Sequence, residues 1–170
     1  MAQLKKATLI PKLPESGVDK IEFMFNPTKL TFSRTVNVND AQGARTSNGL
    51  PKVSFQYLSP YKLTISDIVF DTYEEGGNVL WYINKLRQAV EFPSGKKVPP
   101  VYIFTWGEQQ YLRCFVEQLS YQLTLFLPDG TPARAIVDLT LHEVDVIVPA
   151  GSPSAPANVN READSRGSRK

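Results

Sequence analysis

Reactive side chains are scarce in this sequence. Cys114 is the only cysteine and His142 the only histidine. A single cysteine rules out an internal disulfide and fits synthesis in a reducing compartment. One cysteine and one histidine also leave no zinc constellation. No run approaches the ~20 apolar residues that a membrane helix needs, and no apolar segment follows Met1-Ala-Gln-Leu-Lys-Lys. The expectation is therefore cytoplasmic synthesis without a cleaved secretory signal or direct membrane insertion. Charge of one sign is lacking too. After Val148 four basic residues (Arg161, Arg166, Arg169, Lys170) face Glu162 and Asp164, leaving 15 basic and 15 acidic residues of the chain's 19 and 17. A neutral domain argues against nucleic acid as a partner.

What is present is β pattern. Tyr111 to Val148 reads as two long strands around Pro128-Asp129-Gly130. Ala133, Ala135, Val137, Leu139 and Leu141 share one parity, with Arg134, Asp138, Thr140 and His142 on the other, the period of a strand with one buried face. Leu119, Tyr121, Leu123, Leu125 and Leu127 are also odd, and cross-strand partners share a face. Odd–odd pairing excludes a two-residue loop. It fits a three-residue loop in which Pro128 starts a type I turn and Gly130 takes the left-handed position. Leu112, Cys114 and Val116 are even, so the apolar phase slips near Glu117-Gln118, predicting a bulge or bend that curls the hairpin.

Along the rest of the chain, Ala7–Ile10 reads as a short strand, and Ile21, Phe23 and Phe25 alternate up to the Asn26-Pro27 turn. Leu30, Phe32, Val36 and Val38 read as one continuing strand. Residues 37–52 form a polar connection longer than the usual ~4–6 residues, and such connections are often functional. Val53, Phe55 and Tyr57 open another strand, and Tyr61–Phe70 is strongly β-branched. One helix is expected from Asn78 to Val90, with Val79, Tyr82, Ile83, Leu86 and Val90 on its apolar face and Glu74-Glu75 placed to complement its start. A strand follows at Val101–Trp106. Residues 1–148 are read as one β domain and the Pro/Ala/Ser-rich residues 149–170 as a tail that cannot fold alone.

Catalysis finds little support. His142 lies on a polar parity, Cys114 on an apolar one, and no Gly-x-Ser-x-Gly elbow or phosphate-binding glycine loop exists. No enzyme activity, cofactor or metal is expected. Adjacent Glu74-Glu75 read as solvated carboxylates, and Trp81 and Trp106 as core or interface packing. The positive signals are for assembly: the long 37–52 connection, and Phe115, Phe126 and Ile136 intruding on polar parities of the last hairpin.

Four motifs carry a resemblance. Ile21-Glu-Phe-Met-Phe-Asn-Pro-Thr-Lys-Leu30, Val101-Tyr-Ile-Phe-Thr-Trp-Gly107, Cys114-Phe-Val-Glu-Gln-Leu-Ser-Tyr121 and Phe126-Leu-Pro-Asp-Gly-Thr-Pro-Ala-Arg-Ala135 resemble, in order, the tube and adaptor proteins of contractile injection systems. The resemblance spans residues 5–147. It implies a mainly β, tail-tube-like fold with one helix: a β-barrel or two packed antiparallel sheets ending in a long hairpin. It further implies a homo-hexameric ring between the spike/hub and the inner tube, within the baseplate of a particle that is cytoplasmic, membrane-anchored or released. Relatives of this type often carry a C-terminal LysM module, and this chain has the 149–170 tail instead, an arm that could order on a neighbour. The expected subunit contacts are Asp40, Arg45, Asn48 and Leu50 in the connection, and Phe115, Phe126 and Ile136 on the hairpin. An ordinary inner-tube subunit and a carbohydrate- or peptidoglycan-binding module using Trp106 and the tyrosines are the alternatives.

Overall fold

Nine strands and one helix make up the fold in the computed structural model, which describes residues 3–12 and 18–145, with backbone alone at 41, 42, 44, 45 and 51. The strands are β1 (Ala7–Pro11), β2 (Ile21–Glu22), β3 (Thr31–Ser33), β4 (Val36–Arg45), β5 (Pro51–Leu58), β6 (Lys62–Asp71), β7 (Tyr102–Trp106), β8 (Gln109–Phe126) and β9 (Pro132–Glu143). The helix α1 spans Leu80–Val90. A seven-stranded sheet runs β2-β1-β7-β8-β9-β6-β3 with every pair antiparallel, while β4 and β5 form a separate two-stranded sheet. The mainly β, single-helix architecture expected from the sequence is present. The boundary drawn at residue 148 lies outside the described residues.

The last hairpin has the expected register. Leu119 faces Leu139, Tyr121 faces Val137 and Leu123 faces Ala135. The Gly130 N–H donates to the Leu127 carbonyl (2.9 Å), the Leu127 N–H to Thr131 (2.8 Å), and Gly130 sits at φ +87°. That is the three-residue loop with its left-handed glycine. Register slips between Val116 and Gln118, so Glu117 is the bulge residue. Two further slips, around Thr124 and Ala133, offset each other before the turn.

A second bulge is encoded in the same way in β6. There Leu63 and Ile65 are buried on odd numbers, Ile68 and Phe70 on even ones. The slip falls at Ser66-Asp67, opposite Asp138. Asp67 is the one non-glycine at positive φ among the described residues (58°), and its N–H donates to Asp138 Oδ1 at 2.9 Å. A short acidic side chain tolerates that conformation better than a branched one. Bulges in adjacent strands raise the local twist and curl the sheet.

One face of the curled sheet holds the core. Leu9, Phe104, Cys114, Leu139 and Leu141 are fully buried there with Ile83, Leu86 and Ala89 of α1. The helix begins two residues later than the pattern suggested. The Asn78 side chain accepts the Leu80 N–H (2.9 Å), and Val79, though buried, precedes the first turn. No acidic residue lies in that first turn, so Glu74 and Glu75, exposed in the preceding turn, are too far away to complement it.

Two of the resembling motifs meet at one carbonyl. The Asn26 amide donates to Lys5 O (2.8 Å) and its Oδ1 accepts the Ala7 N–H (2.9 Å), while Trp106 Nε1 donates to the same Lys5 O (3.2 Å). Phe23 is buried against Phe104, ring centroids 6.1 Å apart, whereas Phe25 is exposed. The Phe-Asn-Pro and Trp-Gly motifs thus strap β1 onto β7.

Candidate assembly surfaces

The 37–52 segment is not an irregular connection. It is most of a β-ribbon: β4 and β5 pair from Val36↔Leu58 to Arg45↔Pro51. Its turn repeats the chemistry of the last hairpin, with the Gly49 N–H donating to Thr46 O (2.9 Å), the Thr46 N–H to Leu50 O (2.8 Å), and Gly49 at φ +76°. Nor do Leu30 and Phe32 run on into it. β3 pairs with β6, and the chain leaves that sheet at Arg34-Thr35, where Arg34 Nε donates to Ser59 O (2.8 Å) and the Ser59 N–H to Thr35 O (2.9 Å).

Register sorts the ribbon's faces. Val36, Val38 and Asp40 share one face with their partners Leu58, Phe55 and Val53; Asn37, Asn39, Ser54 and Tyr57 share the other. The five apolar side chains of the first face are 46–76% exposed, and Phe55 is the most exposed large hydrophobic among the described residues. A two-stranded ribbon is marginal alone in water, and a contiguous exposed apolar stripe marks an interaction site. Reading 37–52 as a loop hid this stripe, although Asn48-Gly49 between two apolar-bearing runs signals a hairpin.

The large sheet offers a second kind of surface. β7 pairs only with Gln109–Cys114 of β8, so along Phe115–Phe126 that strand has β9 on one side and no strand on the other among the described residues. β3 likewise covers only Lys62–Thr64 of β6. Beyond that stretch, Met24 Sδ accepts the Asp71 N–H at 3.1 Å. Unpaired strand edges are templates for another chain.

The expected contact residues fall into two separate places. Asp40, Asn48 and Leu50 are exposed on the outer ribbon, where Arg45 closes β4 against Pro51. Phe115, Ile136 and Phe126 do not lie side by side. Phe115 stacks on His142 (5.1 Å, 17°), Ile136 stands between Gln122 and Val69, and Phe126 faces Pro132 at the turn, 52% exposed. Six residues of extended strand, about 20 Å, separate His142 from Ile136. Phe115 is thus largely used within the chain.

Around His142 the outward side chains form an ion cluster. Glu117, thrown out by the bulge, accepts from Lys62 Nζ at 2.8 Å and lies 3.6 Å from His142 Nδ1. The Lys62 hydrogen bond holds the Glu117 carboxyl below its ordinary range, with His142 adding to the effect. At the other end of β6, the backbone N–H of Tyr73 and then Arg134, 2.5 Å away, hold Asp71 down. Burial pushes the Cys114 thiol up to about 12, so it is no nucleophile at neutral pH. Trp106 is packed against the core. Trp81, expected in core or interface packing, is outside the core, 58% exposed with Lys85 Nζ 4.0 Å over its ring. Among the described residues no three His, Cys, Asp or Glu converge as a metal site, and no helix is long and apolar enough to cross a membrane.

With this geometry in place, the family model for contractile injection system tube proteins matches residues 3–146. The chain belongs to that family. A comparison with curated proteins finds no match. The family is one of structural tube proteins of an injection particle, and membership implies that the tube protein assembles with other components of that particle.

Proposed function

We propose that this tube protein forms a hexameric ring that joins the baseplate hub and spike to the inner tube and starts tube assembly. The observation that carries the reading is the pairing of two open edges with one projecting ribbon. The free lengths of β8 and β6 lie on opposite sides of the β8-β9-β6 strip. Contacts between unlike edges are heterologous, and heterologous contacts close into rings when their rotation allows. The ribbon, with no hydrogen bond to the seven strands among the described residues, is then free to lay its apolar face on the neighbouring layer. Six-fold symmetry and the place between hub and tube rest on the motif resemblance. Residues 149–170 are proposed as a tail outside the tube-like domain that orders on a neighbour.

Electron microscopy of the purified chain with its inner-tube partner tests this. Six-fold rings capping tube stacks at one end are expected. Deleting residues 40–50 should leave a folded body that no longer stacks, and normal stacks from that deletion would overturn the ribbon's role. An ordinary inner-tube subunit is the second reading, favoured by the family description itself; rings found along the whole tube would select it. Wall binding has less support, because Trp106 is held to Lys5 and packed against the core rather than open for stacking on a sugar.

A further inference from the structure

At the root of the ribbon a cleft of about 400 Å³ opens between Arg34, on the crossing from β3 to β4, and Arg113 of β8. Its walls are apolar at Leu58 and Val144 and acidic at Glu143 and Asp145. The two guanidiniums are only partly used. Arg34 spends Nε on Ser59 O and lies 4.6 Å over the Tyr61 ring, which orients its terminal nitrogens without satisfying them. Arg113 reaches Asp145 only at 3.7 Å, and Asp145 is fully exposed. Arg113 Nε is buried and has no hydrogen-bond partner among the described residues. Glu143 does not fill the gap: its Oε2 accepts the Tyr61 N–H at 2.8 Å, and its own N–H is held by Tyr61 O.

A buried donor on a charged group without a partner is costly, and a guanidinium edge is shaped for the two oxygens of a planar anion. We propose that this cleft is a receptor for one carboxylate. Two guanidiniums against two lining carboxylates leave the site neutral overall. A singly charged planar group is repelled by Glu143 and Asp145 about half as strongly as a dianionic phosphate, and it alone matches the flat guanidinium edge. The apolar walls suit the methylene stem of an acidic side chain. The site goes beyond the assembly reading and does not depend on it, since the resonance that tests it belongs to the isolated chain.

The test follows the arginine Nε–H signals of the full ¹⁵N-labelled chain during titration with acetate, with the capped peptide acetyl-Ala-Glu-Ala-amide, with its Gln counterpart and with inorganic phosphate. The Arg113 Nε–H should shift saturably with both carboxylates and stay put with the Gln peptide. Saturation at lower concentration by the Glu peptide identifies a protein-borne acid as the source; equal saturation identifies a free carboxylate. Arg34→Met should weaken binding by about tenfold, the loss of one charge-assisted hydrogen bond. Arg34→Lys, which keeps the charge, guards against a variant that merely unfolds and should weaken binding less. An Arg113 signal unmoved by either carboxylate, moved equally by the Gln peptide, or moved at lower concentration by phosphate overturns the proposal.

Discussion

Replacing Asn26 by alanine should destabilise the fold through one particular donor. Its side chain makes two hydrogen bonds, but they are not equal. Lys5 O is exposed and keeps Trp106 Nε1 as a donor, so water and the indole can make good most of that loss. The Ala7 N–H lies on a residue with no exposure, and Asn26 Oδ1 at 2.9 Å is its acceptor. Leaving a buried N–H unpaired costs about 1–3 kcal/mol, and the Lys5 side adds about 0.5 kcal/mol. For a domain of this size each kcal/mol lowers the melting temperature by about 2–4 °C, so Asn26→Ala should melt about 3–14 °C below the parent. Calorimetry of four chains (parent, Asn26→Ala, Trp106→Phe and the double variant) forms a cycle around Lys5 O. The double variant removes both donors and should be destabilised beyond the sum of the singles by about 0.5 kcal/mol or more. Asn26→Asp keeps an acceptor for Ala7 but sets a carboxylate against the Lys5 carbonyl, so it should recover stability as the pH falls through the carboxyl range. An Asn26→Ala variant melting within about 1 °C of the parent, or strict additivity in the cycle, would refute the claim that the two motifs converge on β1 through these bonds.

Other perturbations test separate parts of the structure. A Cβ added at Gly130 meets nothing within 4 Å beyond its chain neighbours, so the cost of Gly130→Val is mainly backbone strain, about 1–2 kcal/mol and a few degrees of melting temperature; Gly130→Asn should cost less than half of that. Ile83→Ala removes a fully buried helix side chain and should lower unfolding free energy in urea by about 2–5 kcal/mol. Phe55→Asp should leave the monomer's melting point almost unchanged, because the ring touches mainly solvent, yet abolish ring stacking by sedimentation. The carboxyls of Glu117 and Asp71 are depressed in the folded chain. Each therefore contributes stability that is present above the ordinary carboxylate range and lost as pH falls through the depressed folded value. Glu117→Gln should flatten the acid limb of the stability curve, and an unaltered limb would exclude the Lys62–Glu117 pair as a contributor.

The two hairpins show where sequence reading works and where it stops. In the last hairpin one face is buried, so parity is written in apolar residues and yields register, loop length and the Glu117 bulge. The same signal lies in β6, where the shift from Leu63 and Ile65 to Ile68 and Phe70 marks the bulge at Asp67. A run of β-branched residues looks continuous unless its phase is followed. The ribbon is different in kind. Neither of its faces meets the core, so burial imposes no alternation. Its apolar face, Val36 and Val38 against Val53, Phe55 and Leu58, is split across a polar turn and broken by a register slip between Asn37 and Val38. Only the turn is locally encoded: Thr46-Ser47-Asn48-Gly49-Leu50 repeats the bonding of Leu127-Pro128-Asp129-Gly130-Thr131. The proposed carboxylate cleft was beyond reach altogether, since Arg34, on the crossing from β3 to β4, and Arg113 of β8 are far apart in the chain and come together only because the ribbon leaves the sheet near the start of β8 and the end of β9. Surfaces that act between molecules are patterned against a partner absent from the sequence. That is why the core was legible from alternation, while the stripe and the cleft needed the register of folded strands.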